Sequence, residues 1–70
     1  MSQYITVFIN GEPFNCNSFI SLKDLLIYLS FDLDSVIVEY NNRIIKSFDY
    51  VNVFICDGDC VEVITIVGGG

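Results

Sequence analysis

Histidine, tryptophan and alanine are absent from this 70-residue chain, which holds one proline and three cations, Lys23, Arg43 and Lys46. Without histidine it lacks the side chain that most often serves as general base or metal ligand near neutral pH. With so few cations it is not expected to bind nucleic acid, because phosphate recognition rests on clustered Lys and Arg. Nine acidic residues bring the net charge to −6. That charge suits a basic-faced protein partner, and it equally serves to keep a small apolar protein in solution. No apolar run approaches the length of a membrane span, so no membrane partner is expected. Met1 to Thr6 lacks the basic-then-apolar pattern of a secretory leader. Cys16, Cys56 and Cys60 are therefore expected as free thiols in a reducing compartment. The cytoplasm fits, or the plastid stroma if the chain is organelle-encoded.

Catalytic signatures are missing too. There is no phosphate-binding glycine loop, no dinucleotide fingerprint and no nucleophile–base pair arguable from spacing. No catalytic residue is assigned, and the chain is not expected to be an enzyme. Cys56 and Cys60 flank Asp57-Gly58-Asp59, but a zinc site normally takes four ligands in short-spaced pairs. The remaining oxygen ligands of a calcium loop are also absent. The segment reads as a turn with Gly58 at positive φ, and Cys16 as a small core residue. No metal and no bound cofactor are expected.

What is present is apolar and periodic. The hydrophobic fraction is 53%, enough for the dense core that a single domain of this size needs. Tyr4 to Ile9 alternates, with Ile5, Val7 and Ile9 on one face and Tyr4, Thr6 and Phe8 on the other, the period of a strand. Asn10-Gly11 suits a two-residue hairpin turn. The return strand, Glu12 to Asn17, carries Phe14 and Cys16 on one face, and Pro13 assigns it to a sheet edge. Ser21 can cap a helix from Leu22 to Ser30, with Asp24 in its first turn and an apolar stripe of Leu22, Leu25, Leu26 and Leu29. Further strands are expected at Val36–Tyr40, Arg43–Ile45 (short) and 61–67, with a short helical turn and a brief strand within 47–55.

Hairpin, crossing helix, then more strands describes an α+β fold, a β-grasp of the ubiquitin-like kind. A mixed sheet of four to five strands packs on one helix, and the first and last strands are parallel neighbours at its centre. The domain is expected over residues 1–67, with residues 68–70 as a flexible tail. In the last strand, Val61 and Val63 face the helix, which leaves Glu62, Ile64 and Ile66 on the outer face with Thr6 and Phe8. Phe8, Ile64 and Ile66 are expected to form an apolar patch of the size that marks a partner surface, though scattered surface hydrophobics are common in a small isoleucine-rich protein. Gly68-Gly69-Gly70 then ends the sequence. Lacking Cβ atoms, such a tail can thread a narrow channel and present a terminal carboxylate as an oxygen nucleophile. A frayed end is the alternative for three glycines taken alone.

With these residues laid out, the chain resembles the thiamin-biosynthesis sulfur carriers, the ThiS family, over essentially its whole length. The resemblance rests on Ile9-Asn10-Gly11-Glu12, Ser21-Leu22 with Leu25-Leu26, Val36 to Glu39 with Asn41, and Arg43-Ile44-Ile45. It continues through Asp57-Gly58-Asp59, Val61-Glu62-Val63 and Val67-Gly68-Gly69-Gly70. It implies that an E1-like adenylating enzyme of the ThiF type binds the face of Phe8, Ile64, Ile66 and Glu62 and activates Gly70 with ATP and magnesium. A persulfide donor then leaves a thiocarboxylate on Gly70, with Gly68 and Gly69 as the approach, and the sulfur passes to a thiazole synthase of the ThiG type. The carrier alone is expected to be monomeric. Two other readings stay open at this point. The small subunit of molybdopterin synthase shares the fold and a terminal diglycine, but usually has prolines where this chain has Thr65-Ile66-Val67. A ubiquitin-like interaction module carrying no sulfur is the other.

Overall fold

The computed structural model describes residues 3–66. Strands β1 (Tyr4–Ile9) and β2 (Glu12–Asn17) form a hairpin closed by Asn10 and Gly11 at φ 51° and 85°. Two successive positive-φ residues give the turn whose twist matches paired strands, which is why Asn-Gly sits there. Helix α1 (Leu22–Tyr28) follows, then a 3-10 turn (Leu33–Ser35), β3 (Val36–Tyr40), β4 (Arg43–Ile45), a second 3-10 segment (Ser47–Asn52) and β5 (Cys60–Thr65). Asn41 and Asn42, at φ 49° and 70°, repeat the hairpin device between β3 and β4 without glycine, because asparagine tolerates the left-handed region.

The five strands make one mixed sheet in the order β2-β1-β5-β3-β4. β5 runs parallel to β1 and antiparallel to β3, and β2 with its Pro13 lies at an edge. α1 covers one face through Leu22, Leu25 and Leu26, all fully buried against Val7, Val38 and Val61. Seven residues are far too few for a helix to persist alone in water. Burial of those leucines, each contributing about 1.5–3 kcal/mol, is what holds it. The helix start is capped by Ser21 Oγ, which accepts from the Asp24 N–H at 3.0 Å. Ser21 also forms an isolated antiparallel bridge with Phe54, so a brief strand-like pairing follows the 3-10 segment. The Leu22 N–H donates to Val53 O at 2.7 Å and the Ile55 N–H to Ile20 O at 2.9 Å.

Two boundaries differ from the sequence expectation. The helix ends at Tyr28 rather than Ser30, because Ser30 turns to φ 67°. There the Ser30 N–H donates to Ile27 O and the Phe31 N–H to Leu26 O, a Schellman termination that satisfies the last carbonyls. The last strand begins one residue early, at Cys60, and ends at Thr65. It stops short of the expected Val67, since Ile66 lies beyond the strand; Val67 and the tail of residues 68–70 lie outside the described residues.

Serine at the left-handed position carries a steric cost that glycine does not. Ser30→Gly is expected to stabilise the fold by about 0.5–1 kcal/mol, after allowing for the greater freedom of glycine in the unfolded chain. The check is a higher urea midpoint at unchanged slope.

Candidate functional site

The sheet face opposite the helix is built by strict alternation. Val61 and Val63 point inward and are buried, which turns Cys60, Glu62 and Ile64 outward. β3 likewise buries Val36 and Val38 and turns out Ile37 and Glu39. Phe8, Ile64 and Ile66 are all exposed, Ile64 by 54%. Register separates them, however. Phe8 stands opposite Cys60 in the parallel ladder, and Ile64 lies four residues further along, about 13 Å at strand rise. Phe8 therefore does not join Ile64 in one patch as the sequence suggested. The Cα partner of Ile64 is Ile37, and Ile44 stands opposite Glu39 on the next strand. Ile37 and Ile44 were missed in the sequence because alternation gives each strand two faces but not the stagger between distant strands. Their signal was there, since Ile37 is out of phase with the buried Val36 and Val38 and Ile44 with the half-buried Ile45.

The exit of β5 is held from two sides. The Asn10 N–H donates to Val61 O at 2.9 Å. Its side chain continues the ladder where β1 has ended: Oδ1 accepts from the Val63 N–H at 2.7 Å and Nδ2 donates to Val63 O at 3.3 Å. Beyond the strand, the Ile66 N–H donates to Ser35 O at 2.7 Å. Chain leaving β5 toward residues 67–70 thus starts from a fixed point beside the first 3-10 turn.

The entrance of β5 is fixed by the Asp57-Gly58-Asp59 turn, with Gly58 at φ 86°. Asp57 Oδ1 accepts from the Thr6 N–H at 2.8 Å, and the Gly58 N–H donates to Thr6 O at 2.7 Å. Asp59 reaches the other way: Oδ2 accepts from the Tyr40 hydroxyl and from the Cys56 N–H, and Oδ1 accepts from Asn41 Nδ2 at 3.2 Å. Asn41 Oδ1 in turn accepts from the Cys60 N–H at 2.9 Å. The two aspartates therefore tie β1 and the β3–β4 hairpin to the start of β5. Burial, with the Asp59 carboxylate adding to it, pushes the Tyr40 phenol well above its ordinary value; burial alone raises Tyr50 and the Cys16 thiol. Cys16 is buried, whereas Cys56 and Cys60 are exposed free thiols. Among the described residues no cluster of three or more His, Cys, Asp or Glu could hold a metal ion, and no helix is long and apolar enough to cross a membrane.

A five-stranded mixed sheet grasping one helix, with a central last strand that leads to terminal glycines, defines the ubiquitin-like β-grasp class of carrier domains. The pattern of the ThiS family matches residues 7–70, and the chain belongs to that family. It is similar to the sulfur carrier protein ThiS of Bacillus subtilis, 40% identical over 50 residues that cover 71% of this chain and 76% of that one. It also resembles the uncharacterised protein ycf40 of Porphyra purpurea, 43% identical over 70 residues that cover 100% of this chain and 99% of that one. A thiazole synthase of Magnetococcus marinus is 34% identical over 64 residues, covering 91% of this chain and 20% of the synthase. Among solved structures, the thiamine biosynthesis protein ThiS of Geobacter metallireducens superposes with a TM-score of 0.82 at 26% identity, covering 94% of this chain and 100% of that one. The chain is thus a ThiS-family sulfur carrier of thiamine biosynthesis.

Removing the Asp59 carboxylate leaves three donors without their acceptor, so Asp59→Ala is expected to cost about 2–3 kcal/mol, read as a lower urea midpoint. At alkaline pH the sign follows from the raised Tyr40 phenol. Unfolded tyrosine ionises from about pH 10 while folded Tyr40 stays neutral, so the unfolded state binds fewer protons and stability falls as pH rises. The loss is expected to be shallower in Tyr40→Phe, measured by denaturation across that range.

Proposed function

We propose that Gly70 is the sulfur attachment point and that the outer sheet face is the docking surface for an E1-like adenylating enzyme. Docking brings the tail, by way of Gly68 and Gly69, to the partner's nucleotide. There the Gly70 carboxylate attacks the α-phosphate of ATP, with magnesium in the partner's site, and pyrophosphate leaves. The outer sulfur of a persulfide donor attacks the acyl-adenylate and displaces AMP, giving an acyl disulfide. A second thiol of the partner system then attacks the donor sulfur of that S–S bond, releasing the thiocarboxylate and leaving a disulfide between the two thiols. Thiazole synthase then takes the sulfur for the thiazole ring. The chain acts as a co-substrate; catalysis belongs to its partners, and what the carrier adds is the positioning of the reacting end. We place it in a reducing compartment, the cytoplasm or the plastid stroma, in keeping with its free thiols.

The observation that carries this reading is the family match, which continues through the terminal glycines to residue 70. The choice of thiazole synthase is supported by segments similar to nearly the whole of this chain within proteins called thiazole synthase, in Magnetococcus marinus and Paramagnetospirillum magneticum. Two features of the described fold favour the docking role: the exposed isoleucines of the outer face, and the fixed exit of β5. Phe8 and Glu62 border the same face, Phe8 toward the entrance of β5.

Incubation with the adenylating enzyme, ATP and a persulfide donor is expected to replace one oxygen of the chain by sulfur, read by intact mass. Deletion of Gly70 abolishes the change, and an unchanged wild-type mass rejects the carrier mechanism. Ile64→Asp, at an exposed position, is expected to keep the circular dichroism spectrum while losing adenylation; unfolding of that variant would reject the face assignment.

A further inference from the structure

We propose that residues 67–70 dock on their own domain, in the hollow beside the exit of β5, with the Gly70 carboxylate on Lys46. This rests on the reading of Gly70 as the reacting end of the chain. The hollow is an open space of about 440 Å³ between the first 3-10 turn and the end of β4, and its lining includes Leu33, Asp34, Ile37, Ile44, Lys46 and Phe48. Its rim is apolar and uncovered: Ile44 is 69% exposed and Phe48 71%.

Strand register places the start of the segment at this hollow. The Ile66 N–H donates to Ser35 O at 2.7 Å, next in sequence to Asp34 of the lining. Val38 stands opposite Ile45, and Lys46 keeps an extended backbone at φ −75° and ψ 148°. One further step of that ladder sets Lys46 level with Ile37, which is itself opposite Ile64. Lys46 thus lies two strand spacings from β5, about 10 Å. Four extended residues span up to about 13–14 Å. The segment is long enough to cross β3 and bring its end to Lys46.

The chemistry of the segment follows the lining in order. Val67 comes first and meets the isoleucine and phenylalanine rim, where covering removes apolar surface from water. Glycines follow, and without Cβ atoms they let the backbone lie close to the sheet. The anion comes last, and Lys46 is the one cation among the residues that line the hollow. Asp34, at the near end, opposes a carboxylate that stops short. Glu39 is opposite Ile44 and so diagonal to Lys46, where it competes for the ammonium. An exposed ion pair contributes little by itself, so the seat needs the Val67 contact as well and is weak enough for a partner to empty. A partner must draw the segment out before Gly70 can react, and docking lowers the fraction of the chain that is ready.

The test is NMR on the 70-residue chain, as wild type, Lys46→Gln and Asp34→Asn, with valine methyls and glycine carbonyls labelled. In the wild type, nuclear Overhauser contacts are expected between the Val67 methyls and the Phe48 ring. The terminal carboxyl is expected to titrate at lower pH than in Lys46→Gln, because the ammonium favours its ionised form, and lower still in Asp34→Asn. Lys46→Gln is expected to lose the contacts and to lower KM for the carrier in the adenylation assay by about twofold to fivefold, with kcat unchanged. Absence of the contacts in the wild type, or one titration midpoint in all three chains, overturns the seat; sulfur uptake by that same wild-type chain leaves the carrier reading standing. Contacts present in a chain that takes up no sulfur support the seat and overturn the carrier reading alone. An unchanged or higher KM in Lys46→Gln overturns the effect of docking on readiness.

Discussion

The structure depends on β5 being paired along both edges while its alternate side chains fill the core. Val61 and Val63 are buried under the helix, and β1 and β3 occupy the two sides of the strand. Each end of β5 is then secured by side chains that stand in for backbone. Asp57 accepts a β1 amide before the strand begins, and Asn10 serves both the amide and the carbonyl of Val63 after β1 has ended. Buried backbone groups must find partners. In so small a domain these side chains supply what longer strands would have supplied.

This arrangement separates the two tasks of the domain. The inner face and the aspartate turn hold the fold, and the outer face is free to vary in what it offers a partner. A compact acidic body with isoleucine on one side is a surface another protein can recognise, and the strand at its centre is the one that leads to the terminal glycines. Cys56 and Cys60 lie at the entrance of that strand.

Much of the fold was legible in the sequence because the elements are short and strongly patterned. Both strands of the first hairpin, the Ser21 cap and the inward phase of Val61 and Val63 follow from local alternation and turn chemistry. The helix end did not, because termination at Ser30 relies on a non-glycine residue in the left-handed region. The role of the aspartates was read as a turn and nothing more. Their partners, Thr6, Tyr40 and Asn41, are 18 to 51 residues away for the cited carboxylate bonds, and no local pattern encodes such pairings. The face of Phe8 was read correctly, but its distance from Ile64 depends on the stagger between the first and last strands, which only the folded sheet fixes.

The parallel pairing of β1 and β5 also has a mechanical consequence. With the two outermost strands of the sequence side by side and pointing the same way, tension between the two ends of the chain slides one strand along the other. Their hydrogen bonds then bear the load together in shear, rather than opening one after another like a zip. Force applied between the two ends of the chain therefore meets these bonds acting together.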